Sequence, residues 1–338
     1  MSLVGIFRRT VVEGRFVTFP VVLVILGMRL LLFLKCDVAD PSSTEVSHLW
    51  HFVAPFFYDG VISMVTATLA VLLIAWLIRS MNDRFALIRY RSNLIFIAPL
   101  LLLSLHPRFL VMTPDLVSVI FIQLAFFPLL ESYQKQDAYL HSFRSGVLIA
   151  IATLFHVGAL ALVPLWWRGE RSMRGPQLRA RLSYLFGFLL VGFSLFSLYF
   201  FLDDLQGFSQ PFHFYASISL PSLPVYTVVE WVALVLILLF FLSNMIMSTR
   251  VFSRDKVITL TLMRFVVYLI IFLWLLQALY WSRTLFFFTV ALTLISYLNA
   301  YFFTRTNSKS GVWLAYINLS VMLLFYLSHF TPFRLFNF

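Results

Sequence analysis

Arg29, Lys35, Arg108, Arg283 and Arg334 stand apart from the clusters that hold most of the chain's 25 lysines and arginines, and Arg29 lies inside an apolar run. Acidic residues fall on the same side of the apolar runs: Asp37, Asp40, Glu45, Asp59, Asp115, Asp203, Asp204 and Glu230. Guanidinium groups grip a phosphate or pyrophosphate through paired hydrogen bonds, and a neighbouring carboxylate can take the proton of an attacking hydroxyl. Arg29, Arg108 and Arg283 are therefore candidate phosphate-binding residues, with Asp37 and Asp40 as candidate catalytic bases and Asp115 and His156 as further site candidates. A second reading fits the same residues: arginines that snorkel and pair with these acids to close a helical bundle. Both readings stay open at this level.

Other chemistry lacks its signatures. The chain has no Walker loop, no glycine triad of the dinucleotide-binding kind and no H-E-x-x-H pair. Cys36 is the single cysteine, so neither an internal disulfide nor a thiolate metal cluster can form. His48-x-x-His51 places two imidazoles on one helical face near Glu45 or Asp59, but a matched third ligand is missing. No metal and no cofactor are expected.

The elements that position these residues are membrane spans. Hydrophobic residues make up 61% of 338 positions and charged residues 12%, and no polar stretch is long enough for a soluble domain. Residues 1–338 read as one membrane-embedded, all-α domain. The net charge of +11 belongs to loops beside spans, where it meets anionic headgroups rather than nucleic acid. Apolar runs long enough to cross a ~30 Å core occupy Val17–Leu34, Gly60–Ile78, Val111–Leu130, Leu182–Leu202, Thr227–Met247, Leu260–Trp281, Thr284–Thr304 and Val312–Phe330. The first is too long for a signal-peptide core and lacks a small-x-small cleavage site, so it is expected to remain as a span.

Two regions are ambiguous. Leu94–Leu105 is short and ends at His106-Pro107-Arg108, while Gly146–Trp167 reads as one span or as two short helices breaking near His156. The basic segments around Arg8, Arg79–Arg91, Arg168–Arg181, Arg250–Lys256 and Arg305–Lys309 must share the cytoplasmic side. Eleven crossings satisfy this if both ambiguous regions form hairpins. Nine satisfy it if Leu94–Leu105 is re-entrant and Gly146–Trp167 crosses once. The two arrangements exchange Lys135 and Arg144 for Arg108 on that side, so charge does not separate them. Both place the N-terminus in the cytoplasm and the C-terminus outside.

Between Arg84 and Asp204 lie Asn93-Leu-Ile-Phe-Ile-Ala-Pro-Leu, His106-Pro-Arg-Phe, Pro114-Asp115-Leu and Ile151-Ala-Thr-Leu-Phe-His-Val-Gly-Ala-Leu, followed by a basic loop and a further span. This third of the chain resembles a family of polytopic inner-membrane proteins from Bacteroidota and, more distantly, the GT-C glycosyltransferases and exopolysaccharide polymerases. The resemblance implies irregular spans with short helical hairpins and an active site on the extracytoplasmic face. It also implies a polyprenyl-(pyro)phosphate sugar donor. Asp37 or Asp40 would match the catalytic carboxylate, with Arg108 and His156 at outer hairpin tips. In place of the paired acidic motif usual in the first loop stands Asp37-Val-Ala-Asp40.

Three functions follow for a multi-pass protein of the bacterial inner membrane. One is a glycosyltransferase or polymerase-like enzyme at the outer leaflet. Another is a non-catalytic subunit of an envelope export or assembly complex, with other envelope proteins as partners. The third is a lipid-linked sugar flippase or permease. Membrane lipids are partners in all three.

Overall fold

The computed structural model describes residues 3–35, 47–88, 92–135, 137–220, 241–242, 244–249, 251, 255–281, 283–306 and 308–330. These are mostly helical, with no strand among the described residues. A short α1 (Leu3–Phe7) runs into a π-helical turn at Arg8–Val12. There follow α2 (Arg15–Lys35), α3 (Trp50–Val53), α4 (Gly60–Phe85), α5 (Leu94–Leu102) and α6 (Pro114–Glu131). The second half contains α7 (Tyr139–Phe155), α8 (Leu162–Arg174), α9 (Leu178–Phe201) and α10 (Leu205–Ser209). It closes with α11 (Val257–Leu279), α12 (Phe286–Arg305) and α13 (Lys309–Ser328). Among the described residues seven helices, α2, α4, α6, α9, α11, α12 and α13, are long and apolar enough to cross a membrane. The chain is a multi-pass integral membrane protein. Most of the expected Thr227–Met247 span lies outside the described residues.

The ambiguous regions both break. Leu94–Leu105 yields only the nine-residue α5, which at about 1.5 Å per residue reaches roughly 13 Å and cannot cross by itself. Gly146–Trp167 is interrupted at His156, whose extended backbone (φ −144°, ψ 113°) ends α7 before a 3₁₀ turn, Val157–Ala161, leads into α8. The arms of this second break fold back on each other. Arg174, at the end of α8, donates to the Ala138 carbonyl at 3.2 Å and to the Ser142 hydroxyl, both at the start of α7. Gln134 N donates to Met173 O at 3.3 Å.

Interhelical bonds sort the connections into two ends. At the basic end Asn93 bonds the carbonyls of Val12 and Gly14, Thr304 bonds Ser92, and Thr259 bonds Leu87 O. Arg84 pairs with Glu131 at 2.5 Å, and Glu131 with His141 at 3.2 Å. At the opposite end Ser63 Oγ accepts from Met112 N, Leu49 N donates to Leu154 O and Tyr326 Oη donates to Met28 O. Both hairpin tips, 103–113 and 156–161, lie at this second end. Gly14 and His329 consequently sit at opposite ends of the bundle, His329 edge-on to His106 at 5.3 Å.

The core forms around α12, buried along nearly its whole length, whereas α2, α9 and α13 expose most of theirs. A helix apolar all round belongs inside such a bundle. Its hydroxyls and amides face protein; Gln123 Nε2, for example, donates to Thr293 Oγ1 at 3.0 Å. Helices α7 and α9 meet through small residues. Gly146 abuts the carbonyl of Tyr184, and Gly187 that of Phe143, so no side chain fits at either position.

The hairpin at His156 makes a prediction about sidedness. Exposed positions Lys135 and Arg283 are changed separately to cysteine, Lys135→Cys and Arg283→Cys, in a Cys36→Ser background. A membrane-impermeant maleimide should reach them from opposite faces of sealed vesicles. Labelling of both from one face would favour the nine-crossing arrangement.

Candidate functional site

Irregular backbone inside an apolar bundle leaves carbonyls that must find donors. The turn between α5 and α6 meets this demand with Arg29. That side chain is 1% exposed. It donates from Nη1 to Leu103 O at 2.9 Å and to Ser104 Oγ at 3.4 Å, and from Nη2 to Phe109 O at 2.7 Å. Its Nε reaches Thr68 Oγ1 at 3.1 Å. Arg29 is six residues before the end of α2 and Thr68 eight after the start of α4, so the turn closes roughly 10 Å inside the ends of those helices. The observed bonds of Arg29 all run to protein oxygens, and its geometry is that of a clamp on the turn.

The second tip satisfies its carbonyls from covering segments: Leu49 N bonds Leu154 O, and Tyr215 Oη bonds Val157 O at 2.9 Å. Each tip opens on a histidine used in one way. His106 Nδ1 accepts from Arg108 N at 3.1 Å, and His156 Nδ1 accepts from Gly158 N at 3.0 Å. A Cβ at Gly158 would fall 2.8 Å from His156 Nδ1 and 3.0 Å from the Phe286 ring, which explains glycine there.

Between the tips three sequence candidates converge. Asp115, 2% exposed, stands in the first turn of α6, where the helix dipole favours a negative charge. Its Oδ2 lies 3.5 Å from Arg108 Nη2 and its Oδ1 lies 3.6 Å from His156 Nε2. The Arg108 side chain is 31% exposed, so one ionic group of the cluster reaches the surface. Because His156 Nδ1 is an acceptor, the ring proton of the neutral form resides on Nε2, 3.1 Å from Thr284 Oγ1. The ring stacks on Phe286 at 4.1 Å. Both nitrogens are thus engaged, Nδ1 with Gly158 N and Nε2 with Thr284 Oγ1, with Asp115 close to Nε2.

Thr284 and Gln277 are the members that reading the sequence for charge passes over. Thr284 Oγ1 also accepts from Phe286 N at 3.0 Å. Gln277 Nε2 donates to Thr284 O at 2.7 Å while its Oε1 accepts from Phe288 N at 2.9 Å, locking the turn between α11 and α12. The available signal was an amide near the end of an apolar run, which commonly joins helices.

Arg283 is exposed and adjoins Thr284 in the chain, whereas Asp37 and Asp40 lie outside the described residues. Asp59 and Asp204 are helix caps, accepting from the backbone N–H groups of Val61 and Gly207 respectively at 2.8 Å. His48 is buried among the rings of Tyr199, Phe208 and Phe212, and burial pushes its pKa down to about 4. His51 is exposed, so the two imidazoles do not face a shared centre. No family model, curated protein or solved structure matches the chain.

The Arg108–Asp115 pair predicts energetic coupling. In a thermal-unfolding cycle of Arg108→Gln, Asp115→Asn and the double variant, each single change should destabilise. The double variant should lose less than the sum, by about 0.5–3 kcal/mol. Simple additivity would show that the two charges do not sense each other.

Proposed function

We propose that the protein is a membrane glycosyltransferase of GT-C-like or polymerase-like type. Its substrate is a polyprenyl-phosphate-linked sugar taken at the end of the bundle where the hairpin tips meet. In this reading that end faces the outer leaflet of the bacterial inner membrane, and the basic end faces the cytoplasm. One observation carries the reading: Arg108 and Asp115, close in sequence, meet His156 of the second hairpin tip in a single polar cluster with a partly exposed guanidinium at its edge. Ionisable groups inside an apolar bundle are expensive, and their concentration at one place supports a ligand site there.

The chemistry is a displacement at the sugar. An acceptor hydroxyl oxygen bonds to the anomeric carbon, and the bond from that carbon to the phosphate oxygen breaks. The leaving (pyro)phosphate keeps the electron pair, and Asp37 or Asp40 takes the hydroxyl proton. Arg108, held by Asp115, neutralises the leaving phosphate, and Arg283 adds a second positive charge at the same end. Asp115 and His156 are positioning residues. Arg29 fixes the turn that carries Arg108.

A second reading has its own support. Arg29, both ring nitrogens of His156 and the Arg108–Asp115 pair are all engaged within the protein, as in a non-catalytic subunit whose polar groups only lock its helices. Such a subunit would belong to an envelope export or assembly complex.

Binding separates the two. Purified protein in nanodiscs should bind a polyprenyl-phosphate sugar, with Arg108→Ala weakening it by about tenfold, equivalent to about 1.4 kcal/mol. Equal affinity in folded Arg108→Ala and Arg283→Ala variants, with a stoichiometric partner co-purifying, would leave the subunit reading in its place.

A further inference from the structure

A second group of arginines lies on the outside of the bundle, away from the hairpin tips. Arg264 is seven residues beyond the start of α11, about 10 Å along it, and is exposed. It shares a helical face with Tyr268, Ile271 and Leu275, and the last two are 48% and 59% exposed. This is the face a spanning helix turns towards lipid. Helix α8 packs against α11 where Gly169 meets the ring of Phe265 so closely that a Cβ would fall 2.5 Å from it. That contact brings Arg168 alongside. Its guanidinium lies over the Tyr268 ring at 4.3 Å while the residue remains exposed, so a cation–π contact holds it in place. Arg171 follows one turn later and is also exposed.

Carboxylates do not balance these charges. Glu170, the acid between Arg168 and Arg171, turns inward and pairs with Arg174 at 2.8 Å, with both side chains nearly inaccessible. Among the described residues no acid pairs with Arg168, Arg171 or Arg264. An arginine on a lipid-facing helix at this depth costs several kcal/mol unless its head reaches a phosphate layer. Arg168, stacked on Tyr268, and Arg264, one turn before Tyr268 on the same helix, both carry long stems that can draw a phosphate between their heads.

We propose that the seam between α8 and α11 binds the phosphate headgroup of an anionic phospholipid from the leaflet at the basic end. Arg264 and Arg168 grip the phosphate, Tyr268 fixes Arg168, and Ile271 and Leu275 lie beneath the acyl chains. Arg171 adds charge towards the headgroup layer.

The test is lipid retention. Protein reconstituted in vesicles of equal phosphatidylglycerol and phosphatidylcholine is extracted gently, and the lipid that stays bound is counted by native mass spectrometry. The parent should hold phosphatidylglycerol about tenfold over phosphatidylcholine. An Arg168→Ala/Arg264→Ala variant should lose that preference, and Arg79→Ala, which removes an exposed arginine of the basic end, should keep it. An undiminished preference in the double variant, or an equal loss in Arg79→Ala, would overturn the site. If the double variant is not recovered, Arg264→Leu, whose side chain suits a lipid-facing helix, is read instead. Full retention of the preference there overturns the proposal equally.

Discussion

The structure depends on a buried guanidinium satisfying broken backbone. Where α5 stops, carbonyls that a continuing helix would have used are released inside an apolar bundle. Each one left without a donor costs about 1–3 kcal/mol. Arg29 carries a planar set of donors into that position from the neighbouring α2 and reaches Leu103 O and Phe109 O together. Its own charge, costly in such surroundings, is distributed over carbonyl and hydroxyl dipoles. The turn and the arginine thus stabilise each other.

That mutual dependence organises what lies around it. With the first tip held inside the ends of α2 and α4, α6 starts where Asp115 can face both Arg108 and His156. The second tip reaches the same level because α7 and α8 fold back against each other, sealed at the basic end by Arg174. Helix α12 begins between the tips, its Thr284 meeting His156, and then runs buried through the centre. Two breaks in the apolar runs, one after the short α5 and one between α7 and α8, therefore gather the polar groups. The long exposed helices α2, α9 and α13 give the bundle its membrane-facing surface.

Much of this was legible in the residues. Long apolar runs marked the spans, and Arg29, Arg108, Asp115 and His156 stood out because charged and imidazole groups are rare there. The partners of Arg29 were not legible. Every residue has a carbonyl, so nothing in the side chains marks Leu103 or Phe109 as acceptors. The choice between one span and a hairpin at Gly146–Trp167 was closed to charge counting, since moving Lys135 and Arg144 across the membrane was offset by moving Arg108. The break at His156 and the bonds from Arg174 to Ala138 and Ser142 and from Gln134 to Met173 mark the hairpin. Thr284 escaped notice because a threonine at the edge of an apolar run has many ordinary uses. A weaker signal was present in the two tips: each opens on a histidine, His106 and His156, whose ring caps the short turn that follows.

Two of the arginines first grouped by their isolation, Arg29 and Arg108, differ in what they touch. Arg29 is closed in by backbone oxygens, whereas Arg108 stands at the surface of its cluster, where the proposed ligand would meet it. Hydrogen–deuterium exchange on Arg29→Leu tests this division directly. An apolar leucine suits a spanning helix, so α2 should persist while the turn loses its donors. The predicted result is faster exchange across residues 100–116 with no change across 150–162. Exchange identical to that of the parent protein in both segments, accompanied by loss of phosphate-ligand binding, would contradict the account and return Arg29 to the ligand site.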